Sequence, residues 1–128
     1  MAEHFQERLR DRTILIAEDE YLAANDLAKE LDRAGATVVG PFPTTDRALA
    51  FLSTSTPDGA ILDIDLRGQS VYALADALRE MGVPFVFMTG HAGQIVPDRL
   101  ADVPRCHKPL RVEQAVMLLG EQLGTAGR

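Results

Sequence analysis

Asp63 and Asp65 stand at the end of a short apolar run, "AILDIDLRG", residues 60–68. Two phosphate chemistries use such a pattern: an enzyme's transient aspartyl nucleophile, and a switch that holds a phosphoryl group on the carboxylate. Groups suited to either lie elsewhere in the chain: Glu18 and Asp19 in "ILIAEDE", Thr89 in "VPFVFMTGH" and Lys108 in "HKP". Three carboxylates brought together repel unless a cation joins them, and an oxygen-only donor set with room for water suits Mg2+ better than Zn2+. A threonine hydroxyl and a lysine ammonium would add a hydrogen bond and a mobile positive charge toward a phosphoryl oxygen. Together they would serve in-line phosphoryl transfer onto a carboxylate, where catalysis is mostly positioning and charge neutralisation.

Each residue also has a plainer role. Asp19 could cap a helix, with Glu20 in its first turn. Asp63 or Asp65 could be a turn residue at a strand exit, Thr89 before Gly90 likewise, and Lys108 a solvated surface lysine. The joint pattern carries the chemistry, and no single residue does.

These residues are scattered, so the fold must bring them together. Short apolar runs alternate with helical periodicity, which predicts an α/β fold with a parallel sheet covered by helices on both faces. Strands are expected at "TILIA" (residues 13–17), "TVVG" (37–40), "AILDI" (60–64), "PFVFM" (84–88) and residues 105–107. Ala24, Leu27, Ala28 and Leu31 mark a first helix, stopped by Gly35. Thr44 is placed to cap a second through Leu52, with Asp46 in its first turn. Val71, Leu74, Ala75 and Leu78 mark a third, closed by Gly82 and Pro84. Pro97 interrupts the stretch after Thr89, leaving one short, irregular helical piece. Val112, Ala115, Val116, Leu119 and Leu123 mark the last helix, with Gly124 and Gly127 suggesting a frayed end. The pattern is (βα)5. In such open sheets the carboxyl ends of parallel strands share one edge, where Glu18, Asp19, Asp63, Thr89 and Lys108 would converge.

Composition narrows the class. The 128 residues fit one domain, and a formal net charge of −6 without any basic run argues against nucleic acid as partner. The single cysteine, Cys106, forms no internal disulfide, which suits a reducing cytoplasm. Cys106 and His107 are neighbours on an expected strand, so they face opposite ways and cannot share a tetrahedral ion. The charged start lacks a secretory pattern, and the longest apolar runs are too short to cross a bilayer. A cytoplasmic protein without a membrane partner is expected.

The motifs "ILIAEDE", "GAILDIDL", "VPFVFMTGH" and "HKP", in this order and spacing, resemble the receiver domain of two-component response regulators. The resemblance implies a flavodoxin-like (βα)5 three-layer sandwich of strand order 2-1-3-4-5. It implies Asp63 as phosphoacceptor, and Glu18, Asp19, Asp63 and the Asp65 backbone carbonyl as Mg2+ ligands. Thr89 becomes the switch hydroxyl, and Lys108 the lysine pairing with acceptor or phosphoryl group. The Lys108–Pro109 bond would be cis, a minority state for X–Pro. His91 and Asp65 would flank the phosphoryl group and tune access of the hydrolysing water. The family usually carries an aromatic residue three positions before the lysine; here it is Arg105. The chain is similar to a single-domain subgroup with a Phe-x-Thr-Gly motif ("FMTG") and no aromatic switch, so signalling is expected through the loop after strand four.

By the same resemblance, residues 1–11 are an N-terminal extension, 12–123 the receiver domain and 124–128 a flexible tail, with no output domain. A stand-alone receiver would accept phosphate from a histidine kinase or histidine phosphotransfer protein. It would then bind an unidentified downstream protein or act as phosphate sink or shuttle. It is not expected to be an enzyme beyond self-phosphorylation and autodephosphorylation at Asp63. The kinase helix would dock beside the first helix, near Tyr21 and Leu22. The enzyme alternative is a haloacid-dehalogenase-like phosphatase, whose nucleophile follows its first strand and whose further acidic pair follows the lysine. Here the pair precedes Asp63, and Glu113 and Glu121 after Lys108 fall in a helical pattern. A degenerate receiver, acting purely as a binding module, is disfavoured because all five site positions carry competent residues.

Overall fold

The computed structural model describes residues 8–66, 70–90, 95–107 and 112–126. Five strands, β1 (Thr13–Ala17), β2 (Thr37–Phe42), β3 (Gly59–Asp63), β4 (Phe85–Thr89) and β5 (Arg105–His107), form one sheet in the order β2-β1-β3-β4-β5. All pairings are parallel. Four α-helices are present among the described residues: α1 (Tyr21–Arg33), α2 (Thr45–Leu52), α3 (Val71–Glu80) and α4 (Val112–Ala126). The fourth βα connection carries a 3-10 turn at Asp98–Leu100, with Pro97 at its N-cap. That is the irregular piece expected from Pro97, whose missing N–H and fixed φ suit a helix start and no helix interior. The architecture is the flavodoxin-like α/β sandwich.

Strands buried on both faces read as continuous apolar runs, and here alternate residues feed two cores. Leu15, Ala17, Ala60, Leu62, Phe85 and Phe87 pack with α2 and α3 residues such as Ala48, Leu74 and Leu78. Ile14, Ile16, Ile61, Val86, Met88 and Cys106 pack with Leu27, Leu31, Ala115, Val116, Leu119 and Leu123 from α1 and α4. Cys106 is buried and His107 exposed, as their alternation requires.

Local signals act as expected at several ends. Thr44 accepts a hydrogen bond from the Arg47 N–H at 3.2 Å and caps α2. Gly35, past the end of α1, has φ +88°, the left-handed conformation glycine adopts without a Cβ penalty. Three boundaries differ from the sequence pattern. Strand β2 runs on past Gly40 through a cis Gly40–Pro41 bond, with two residues opposite Ile16, a β-bulge. Helix α4 continues through Ala126, past the expected end at Leu123. Leu9, inside the expected extension, is fully buried beside the α1–α4 core.

Candidate functional site

Three acids meet at the carboxyl edge of the sheet. Ala17 and Leu62 are Cα partners, so Glu18 and Asp63, each one residue further, leave adjacent strands together. One carboxylate oxygen from each of Glu18, Asp19 and Asp63 lies within 4.8 Å of the others. Glu18 and Asp63 are buried. The backbone fixes this arrangement. The Glu18 N–H donates to the Phe42 carbonyl at 3.0 Å, so the bulge that carries β2 past Gly40 anchors the first acid. Glu18 Oε2 in turn accepts the Glu20 N–H at 3.0 Å. Glu20, and not Asp19, occupies the N-cap of α1, without a side-chain cap bond. Asp19 is therefore released from the capping role that its sequence position allowed, and it faces the cluster.

A second tier lies over Asp63. The Asp65 N–H donates to Asp63 Oδ1 at 2.9 Å, and Asp65 Oδ2 accepts the Gly90 N–H at 3.3 Å. The exit of β4 is thus tied to the turn after β3. Met88 is the Cα partner of Asp63, which sets the fully buried Thr89 at the neighbouring strand end. Thr89 pairs with His107 on β5. Lys108 and Pro109, with the expected cis bond between them, and His91 lie outside the described residues.

Arg105 is exposed on β5 and is the Cα partner of Phe87. An aromatic ring nonetheless borders Phe87, supplied from α3. Tyr72 meets Phe87 edge-on, with ring centroids 6.1 Å apart at 82°. Burial pushes the Tyr72 phenol up, Asp65 adds to this, and Arg105 opposes it. Beside the acids, Tyr21 and Leu22 are exposed at the start of α1. A groove of about 270 Å³ runs from Glu18 and Asp19 along Ala24, Asn25 and Ala28 to Pro41 and Pro43.

The donor set is three carboxylates without a sulfur or imidazole among the described residues within it. Hard divalent cations with oxygen preference fit it, Mg2+ foremost, because a cation relieves the like-charge repulsion that the fold imposes. Sequence reasoning found these acids. It missed Gly40 and Phe42, which hold Glu18 in place; the signal available was glycine inside "VVGPFP", the mark of a bulged strand.

The response regulator receiver domain model matches residues 14–103, and the chain belongs to that family. Among solved structures, the response regulator receiver protein from Sinorhizobium medicae WSM419 is 27% identical, with TM-score 0.78, over 92% of this chain and 98% of that one. SdrG from Sphingomonas melonis Fr1 is 36% identical, with TM-score 0.71, over 88% and 98%. The response regulator PhyR from Brucella abortus is 27% identical, with TM-score 0.77, over 96% of this chain. The chain spans about half of PhyR, 52% of its length. No curated protein matches the sequence. Receiver domains work in two-component signalling and usually bind Mg2+ at an acidic pocket such as this one. No helix among the described residues is long and apolar enough to cross a membrane.

Proposed function

We propose that this receiver accepts a phosphoryl group from a phosphohistidine donor onto Asp63 in a Mg2+-dependent reaction. The observation that carries the reading is the meeting of Glu18, Asp19 and Asp63 within 4.8 Å at the strand edge. A buried carboxylate beside two others has few structural uses and is costly to assemble, whereas a cation-assisted phosphoacceptor requires it. Glu18, Asp19, Asp63 and the Asp65 carbonyl would hold Mg2+, which when bound supplies charge neutralisation for the incoming phosphoryl oxygens.

The chemistry assigned to the chain's own residues is brief. An Asp63 carboxylate oxygen forms the O–P bond as the donor's P–N bond breaks, and the departing imidazole nitrogen keeps the electron pair and takes a proton from solvent. The Asp65 N–H on Oδ1 orients the acceptor. Thr89 and Lys108 would contact the transferred group, and His91 and Asp65 would govern the water that later hydrolyses it. Catalysis stays confined to Asp63 itself, so the protein works as a switch, sink or shuttle and turns over no separate substrate. A histidine kinase or phosphotransfer helix would approach along α1 at Tyr21 and Leu22, and a downstream protein would read the phosphorylated form.

Incubation with phosphoramidate tests the proposal. One phosphoryl group should appear by intact mass, require Mg2+, and disappear in Asp63→Asn. Turnover of a generic phosphomonoester without accumulation of label would instead favour the phosphatase alternative.

A further inference from the structure

Residues 95–103 connect the sheet edge that carries the site with β5. One stripe of α3 fastens this segment: Tyr72, Asp76 and Arg79, at i, i+4 and i+7 on a single helix face. The Tyr72 hydroxyl donates to the Ile95 carbonyl at 3.4 Å. Asp76 accepts the Arg99 Nε and Nη2 donors, each at 2.9 Å. Arg79 donates to the Arg99 carbonyl at 2.8 Å and to both Asp102 oxygens at 3.2 and 3.1 Å. Beneath these, Leu100 and Val103 are buried.

Paired N–H donors on a carboxylate fix geometry well, but exposed ion pairs contribute little free energy. Such a fastening sets a position and is easily undone. It also reaches the site. Tyr72 packs on Phe87, two residues before Thr89, and Gly90 is tied to Asp65, which is tied to Asp63. A phosphoryl group on Asp63 replaces the single carboxylate charge with up to two negative charges, spread over oxygens close to the Asp65 carboxylate. Like-charge repulsion then strains the 3.3 Å bond from Gly90 to Asp65, and with it the end of β4, where Gly90 lies three residues beyond the Phe87 ring on which Tyr72 packs.

We infer that Tyr72, Asp76 and Arg79 form a latch holding residues 95–103 against α3 while Asp63 is unmodified, and that phosphorylation of Asp63 loosens it. The inference rests on Asp63 being the phosphoacceptor. Where the family usually has an aromatic this chain has Arg105, and Tyr72 supplies a ring against Phe87 from the neighbouring helix.

Hydrogen exchange of the full chain, followed by mass spectrometry, tests it, with labelling by phosphoramidate and Mg2+ read by intact mass in the same samples. Without label, Asp76→Asn should speed exchange in residues 95–103 by a few-fold, and Asp76→Arg combined with Arg99→Asp should restore the slow rate. Labelling should speed that segment in the wild type and add nothing in Asp76→Asn. The latch is refuted by an unlabelled Asp76→Asn that exchanges at the wild-type rate. The coupling is refuted by labelling that leaves the wild-type segment unchanged, or that speeds both proteins equally. Absence of label in both proteins, with the Asp76→Asn effect intact, overturns the phosphoacceptor reading and the coupling but leaves the fastening standing.

Discussion

Replacing Gly40 by alanine should separate two costs that the fold combines at the β2 bulge. Gly40 has φ +98°, and a Cβ there would lie 2.7 Å from the Phe42 nitrogen and 2.9 Å from the Ile16 carbonyl oxygen. Both neighbours are backbone, so relief requires moving β2 or β1. Gly82 is the natural control: its φ is +75°, and an added Cβ would meet nothing within 4 Å. Gly82→Ala should therefore cost about 1 kcal/mol, the left-handed term alone. Gly40→Ala should cost that plus the displaced backbone, about 3 kcal/mol in all. At about 3–4 °C per kcal/mol for a domain of this size, the two should differ in midpoint by about 7 °C. Urea unfolding followed by far-UV circular dichroism, with thermal melts alongside, reads both. The displaced strand also carries the Phe42 carbonyl that accepts the Glu18 N–H, so folded Gly40→Ala should take up label on Asp63 more slowly while Gly82→Ala labels normally. Equal destabilisation by the two substitutions, or normal labelling of Gly40→Ala, would refute the claim that the bulge positions Glu18.

Other expectations concern separate parts of the molecule. Mg2+ at ten times its dissociation constant should stabilise the wild type by about 1.4 kcal/mol, and the gain in melting temperature should vanish in Asp19→Asn and on chelation. Thr44→Ala removes the acceptor for the Arg47 N–H and should cost about 1 kcal/mol in urea unfolding, with labelling unaffected. The Asp76 carboxyl is held below its ordinary 3.8, first by the hydrogen bond from Arg99. A depressed carboxyl stabilises the fold above its unfolded value and loses that contribution as pH falls through the lowered one. Carboxyl NMR should thus show its midpoint under 3.8, returning toward it in Arg99→Ala, and stability from this group should be flat from pH 7 down to about 5. Burial raises the Cys106 thiol, so a disulfide reagent at mildly alkaline pH should react slowly with the native protein and rapidly in urea.

Much of this was legible because the fold relies on repetition. A parallel sheet needs apolar strands and amphipathic covers, and "TILIA", "PFVFM" and the Val71–Leu78 stripe announce their elements by composition and spacing alone. The chemistry was legible for a related reason: charged residues rarely follow fully apolar strands without a purpose, and Glu18, Asp19 and Asp63 all do. What escaped the sequence depends on contacts distant in the chain. Strand β2 continues past Gly40 because Ala17 of β1 and Glu18 just beyond it supply partners for a bulged chain, which the glycine in "VVGPFP" hints at but does not fix. Leu9 reads as part of a charged start until the α1–α4 core gives it a place to bury. The role of Tyr72 was hidden likewise, since its i, i+4, i+7 companions Asp76 and Arg79 look like an ordinary solvated face until residues 95–102 fold against them.

The identity of the reacting carboxylate is tested most directly by trapping it. Borohydride reduction of the labelled protein converts an acyl-phosphorylated aspartate to homoserine, which peptide mass spectrometry locates. Homoserine should replace Asp63 alone, in Mg2+-dependent yield. Reduction at Asp65 or Asp19, or label on a histidine with Asp63 intact, would contradict it.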